Sequence, residues 1–154
     1  MTRILKAGKV KRKKGLSPAK KAEKRFKKMK KRLWKLFSLW VRMREADSFG
    51  MSPCISCGKK FHFKNMNAGH FIHGTWTKVT GFDSRNVWAQ CVFCNLGLGG
   101  NQAKYADALR EKIGQDGIDA LFELRHQIWK PTHQEIEGMV KEYEEKLKGL
   151  CPQS

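Results

Sequence analysis

Two Cys-x-x-Cys pairs, Cys54/Cys57 and Cys91/Cys94, constrain this chain more than any other feature. A two-residue spacer lets both sulfurs of a pair reach one tetrahedral ion at about 2.3 Å. Gly58, directly after the first pair, suits the tight turn that wraps a metal. Two such knuckles predict one closed four-cysteine zinc site, structural because no coordination position stays open. Buried free thiols are the alternative, which paired spacing disfavours. Cys151 stands apart near the end and is read as a bystander. The first residues, MTRILKAGKVKRKKG, lack the apolar core of a secretory signal, and no stretch of about 18 apolar residues occurs. The chain is therefore expected to be intracellular, where thiols stay reduced and clustered cysteines mean metal rather than disulfides.

Charge is the second constraint. Of 154 residues, 32 are Lys or Arg and 14 are Asp or Glu, a net charge of +18. Residues 1–44 hold 19 of the basic residues and one acid, Glu23, so the entire excess lies in that third. Such a block repels itself and attracts polyanions. Nucleic acid ranks first, because each phosphate contact releases condensed counterions. An anionic membrane surface ranks second, and a tail that only aids solubility third.

Residues 1–16 read as a disordered basic tail and 17–50 as a basic amphipathic helix. Ser17 is the N-cap and Pro18 the first helical residue of a helix expected to reach Ala46. Phe26, Met29, Leu33, Phe37 and Trp40 recur at helical spacing and form a stripe that must dock on the domain or on a second chain. The other faces carry Lys20, Lys21, Lys24, Arg25, Lys27, Lys28, Lys30, Lys31 and Arg32, the candidate DNA contacts. Residues 51–114 form the zinc-stabilised core, with strands expected near 61–63, 68–71 and 87–89. Asn101 is expected to cap a helix that Gly114 closes. Residues 115–154 read as helical: one helix from Asp116 to Pro131 with Ile118, Leu121, Phe122, Ile128 and Trp129 apolar, then another from the capping box Thr132–Glu135, with Ile136, Val140, Tyr143 and Leu147 on one face.

The 33 residues between the knuckles exceed the ~15–20 of a simple zinc ribbon. They contain Ala68-Gly69-His70-Phe71, and Asn86 opens a segment that runs without a gap through Cys91 and Cys94 to Asn95. The order His, Asn, then Asn after the last cysteine resembles the HNH, or ββα-metal, nuclease motif. Pro53–Gly58, the AGHF tetrapeptide, Cys94-Asn95 followed by Gly100-Asn101 and Tyr105, and Trp40–Glu45 ahead of the first cysteines resemble the phage NinG (Rap) recombination family over about residues 20–148. That resemblance implies an α+β fold: a ββα-metal core around the four-cysteine zinc, flanked by a long basic N-terminal helix and C-terminal helices. It implies an endonuclease acting on branched recombination intermediates such as four-way junctions, in the cytoplasm of a phage-infected or prophage-carrying bacterium.

By the same resemblance His70 takes the general-base position, Asn86 the position that ties the loop and orients the histidine, and Asn95 that of a ligand to catalytic Mg2+ or Mn2+ at a helix N-terminus. Many HNH enzymes carry a second metal ligand immediately before the catalytic histidine. Here that position is Gly69, which has no side chain; Asn67, His73, Asp83 or water are the substitutes considered. His73 and Asn101 are candidate accessory residues. Symmetric nicking of a four-way junction needs two active sites, which points to a homodimer. A non-catalytic zinc module binding nucleic acid through its basic helix is the competing class, and an HNH nuclease without structure specificity is a third reading.

Overall fold

The computed structural model describes residues 17–73 and 77–150, so the expected basic tail and Cys151 lie outside the described residues. Helix α1 (Pro18–Met43) starts as its sequence dictates: Ser17 Oγ accepts from the Lys20 N–H at 3.5 Å, and Pro18 has no N–H to leave unpaired. Lys, Arg, Ala, Leu and Met fill its body, all strong helix formers. It ends at Met43, three residues short of Ala46. Leu33, Phe37 and Val41 are buried, with Phe26, Met29, Trp34, Leu36 and Trp40 partly so. The apolar face is thus wider than the expected stripe.

Strands β1 (Met51–Pro53) and β2 (Lys60–His62) pair antiparallel, Met51 opposite His62, and the first knuckle occupies the turn between them. Gly58 adopts φ +70° there and its N–H reaches the Cys54 carbonyl at 2.8 Å, so the glycine is conformationally required. Strands β3 (Met66–His70) and β4 (Val87–Cys91) form a second antiparallel pair, Met66 opposite Cys91 and His70 opposite Val87. The second knuckle begins on the last residue of β4 and continues into a single π-helical turn, Phe93–Gly97.

Helix α2 (Gln102–Leu124) breaks at Gly114, φ 71° and ψ 172°, and its two arms share a core of Tyr105, Leu109, Ile118 and Leu121. It stops at Leu124 rather than continuing to Pro131. Ile128 instead pairs as an isolated bridge with Lys78 and is exposed, while Trp129 packs on Phe82 with ring centroids 5.0 Å apart. The apolar residues there serve the β3–β4 loop, which a helical reading of the chain missed.

Helix α3 (His133–Leu150) opens on the expected capping box: Glu135 Oε2 accepts from the Thr132 N–H at 2.6 Å and Thr132 Oγ1 from the Glu135 N–H at 3.2 Å. It runs beside α1 in the same direction, Phe26 against His133 at one end and Phe37 and Trp40 against Tyr143 toward the other. Leu33, Phe37 and Val41 join Ile136, Val140 and Tyr143 in the main core, and Phe82 and Val87 bring in the β3–β4 loop and the start of β4. Burying each large apolar side chain contributes about 1.5–3 kcal/mol. The basic helix is therefore anchored in the core that carries β4, and is no free arm.

Candidate active site and metal centre

The sulfurs of Cys54, Cys57, Cys91 and Cys94 all lie within 4.8 Å of one another, and those of Cys57 and Cys91 are 4.0 Å apart. A zinc ion with bonds of about 2.3 Å needs sulfur–sulfur edges of roughly 3.8 Å, so the four donors are gathered closely enough to hold such an ion with a small contraction. Cys54, Cys91 and Cys94 are buried, and all four are free thiols. The Cys94 thiol is pushed up to about 12, first by burial. Ligand ionisation and metal capture are then one coupled event. Asn101 is left-handed at φ 45° and makes no side-chain cap on α2; its Nδ2 donates to Cys94 Sγ at 3.6 Å instead. The expected cap is thus an outer support of the cysteine cluster.

His70 ends β3 and its Nε2 lies 3.0 Å from the carbonyl oxygen of Gly81. A carbonyl only accepts, so the proton sits on Nε2 and the Nδ1 lone pair is left over. Gly81 belongs to the 3-10 turn Val79–Phe82, and Asn86 holds that turn in place. Asn86 is fully buried; its Oδ1 accepts from the Ile72 N–H at 2.7 Å, and its Nδ2 donates to the carbonyls of Ile72 (3.0 Å) and Thr80 (2.9 Å). These bonds use one acceptor and two donors, which the asparagine amide supplies on a short stem. Arg44 secures the end of the same loop through the carbonyls of Ser84 and Val87, its guanidinium packed against Trp88 and Trp40.

Trp34 of α1 stacks on the other side of His70, centroids 5.4 Å apart and planes 10° from parallel. Burial lowers the His70 pKa; the Gly81 bond opposes this and nearby His73 adds to it. The neutral form of the ring is favoured as a result.

Asn95 lies in the π turn rather than at the start of a long helix; α2 begins at Gln102. An open groove beside it is lined by Trp34, Ser38, Arg42, Asn67 and Leu96. Of the considered substitutes for a ligand at position 69, Asn67 shares this groove, Asp83 is committed to Arg85 at 2.7 Å, and His73 is exposed. The structure thus brings His70, Asn86 and Asn95 onto one hairpin and its following turn. The candidate DNA contacts stay solvent-facing on α1, except Lys30, which lies over Trp129; Lys27 and Arg32 pair with Glu23 and Glu144.

Sequence reasoning gave no role to three residues. Trp34 was hidden among the apolar positions of α1. Tyr105, fully buried, donates to the Gly69 carbonyl at 2.9 Å and so ties α2 to β3. Gln90 is the one side chain with an amide in the otherwise apolar Val87–Cys91 strand, a visible signal that was not used.

Fold and site define a mixed α and β protein of small antiparallel sheets, braced by a four-cysteine cluster that can hold a metal. Residues 3–152 match the family model described as Bacteriophage Lambda NinG protein, and the chain belongs to the NinG family. It is 34% identical to Protein ninG of Escherichia phage lambda and 35% identical to Protein ninG of Salmonella phage P22, each over 111 residues. Those alignments cover 72% of this chain and 52% of each relative, so the chain spans about half the length of the curated relatives it matches. No solved structure matches it. Among the described residues no helix is long and apolar enough to cross a membrane.

Proposed function

We propose that this chain is an HNH-type DNA endonuclease whose ββα-metal core is β3, β4 and the π turn, with a structural zinc on Cys54, Cys57, Cys91 and Cys94. The observation that carries this reading is the His70–Gly81–Asn86 arrangement. A neutral imidazole, with Nε2 donating to a carbonyl on a loop that Asn86 pins, keeps Nδ1 as a base for the proton of an attacking water. Trp34 fixes the plane of the ring and shields one face from solvent. Asn95 offers Oδ1 as a hard oxygen donor for Mg2+ or Mn2+. When bound, that ion supplies neutralisation of charge on the phosphoryl group and on the departing 3′ oxygen.

The basic residues of α1 hold phosphates. Because Trp34 belongs to the same helix, backbone docked along α1 leads to His70 without a flexible linker. Family resemblance, not any single residue, supports branched recombination intermediates as substrate and a homodimer as the active form. Zinc-loaded protein should be incubated with matched linear, flapped and four-way DNA, with and without Mg2+. Metal-dependent cleavage that favours the four-way substrate supports the proposal. Binding without cleavage on every substrate, in Mg2+ or Mn2+, replaces it with a non-catalytic zinc module.

A further inference from the structure

A Cβ added at Gly69 would collide with Gln90 Oε1 and come 3.2 Å from Asn95 Oδ1. Two side-chain oxygens, from β4 and from the π turn, therefore converge on the space that a side chain at position 69 would fill. Gln90 is completely buried. Its Nε2 donates to Ser56 Oγ at 2.7 Å and to the Gly100 carbonyl. Since Gly100 can only accept, the amide orientation is fixed and Oε1 must point the other way. Oε1 has no hydrogen-bond partner. A buried acceptor aimed at a specific place and left unpaired calls for an unseen donor or cation.

We infer that Gln90 Oε1 is a ligand of the same divalent cation as Asn95 Oδ1, standing in for the absent side chain at position 69. The inference rests on the proposed nuclease reading and completes its metal shell. Glycine at position 69 is then a requirement: any Cβ would displace the oxygen that replaces it. Amide oxygens are hard donors suited to Mg2+ and Mn2+, yet both are neutral. No carboxylate lines the groove among the described residues, and Arg42 does. The cation keeps its full charge until phosphate oxygens arrive, so its affinity depends on bound DNA.

The test is Mn2+ binding by electron paramagnetic resonance, in the zinc-loaded chain carrying His70→Ala so that a bound four-way DNA survives. DNA should tighten Mn2+ binding, and Asn95→Ala should weaken it. Gln90→Leu should weaken Mn2+ by at least about tenfold, as loss of supporting groups at metal sites already does. Gln90→Glu, with a full charge at the ion, should tighten it. Gly69→Asp alone should lose zinc or solubility through the collision, whereas Gly69→Asp with Gln90→Ala should bind zinc and recover Mn2+. If Gln90→Leu fails to hold zinc, Gln90→Glu decides. Mn2+ affinity unchanged in Gln90→Glu while Asn95→Ala weakens it would make Gln90 only a brace between β4, Ser56 and Gly100, leaving the nuclease reading intact. Mn2+ binding indifferent to Asn95 as well as to Gln90 overturns both.

Discussion

The imidazole of His70 lies nearly parallel to the indole of Trp34, centroids 5.4 Å apart, so a residue of the basic helix forms one wall of the candidate active site. Trp34→Ala should hydrate the ring and raise its pKa from the lowered value that burial imposes. The acidic limb of the rate profile should move to higher pH, and Trp34→Phe should restore most of the shift. Histidine proton resonances followed through a pH titration of the three proteins check this, independently of turnover.

A lowered histidine pKa also fixes the sign of the pH dependence. If His70 is the proposed base, its neutral form is present above the folded-state pKa, so cleavage should fall as pH drops through a value below the ordinary ~6.5. Stability follows the same direction. Below ~6.5 the unfolded chain binds the proton that the folded ring resists, so folding weakens until pH passes the folded-state pKa. Denaturant melts of parent and His70→Ala across pH 5 to 8 isolate this contribution, since only the parent carries the titrating group.

Removing one cysteine should have a different consequence from removing the base. Structural zinc can supply on the order of 10 kcal/mol to folding. Cys91→Ser breaks the cluster at the residue that both ends β4 and faces Cys57 at 4.0 Å. Loss of bound zinc and protease sensitivity are expected, with elemental analysis and limited proteolysis as the measurements. Folded parent protein that contains no zinc would contradict the assignment of the cluster.

DNA affinity should divide unequally over α1. Lys20, Lys21, Lys24 and Lys28 are exposed, whereas Lys27 and Arg32 already pair with Glu23 and Glu144. Replacing the first four by Gln should weaken binding to every DNA and lower the salt slope by up to about 0.9 per lost phosphate contact. Replacing Lys27 and Arg32 should change the slope less. Substitution is the right tool, because deleting the helix would strip Phe26, Met29 and Leu33 from the core. Binding titrations at several salt concentrations give both slopes.

Much of this architecture was legible in the chain because local chemistry set it. Ser17-Pro18, the Thr132–Glu135 box and the four cysteines each act over three or four residues, and the structure places all of them as read. The spacing of His70, Asn86 and Asn95 set them on one hairpin and its following turn, while the roles given to them rest on the resemblance. What failed depended on contacts between distant segments. Ile128 and Trp129 carry helical spacing but are drawn to Lys78 and Phe82, some fifty residues earlier. Asn101 looked like a cap, yet a sulfur seven residues back claims its amide. Gln90 stood out in its apolar strand, but its place beside Gly69 comes only from the pairing across the hairpin.

The most direct measurement of the central claim is a cleavage time course on one four-way DNA with Mg2+ or Mn2+, comparing parent with His70→Ala, both verified for zinc content and DNA binding. The account predicts that the parent cuts only with divalent metal. It predicts that His70→Ala is slower by about 10²–10⁴ while zinc and DNA affinity stay near parental. Asn95→Ala should regain activity as metal is raised, and Asn86→Ala should not. Equal rates for parent and His70→Ala, with contaminating nuclease excluded, would contradict the account and leave the zinc-braced nucleic-acid module in its place.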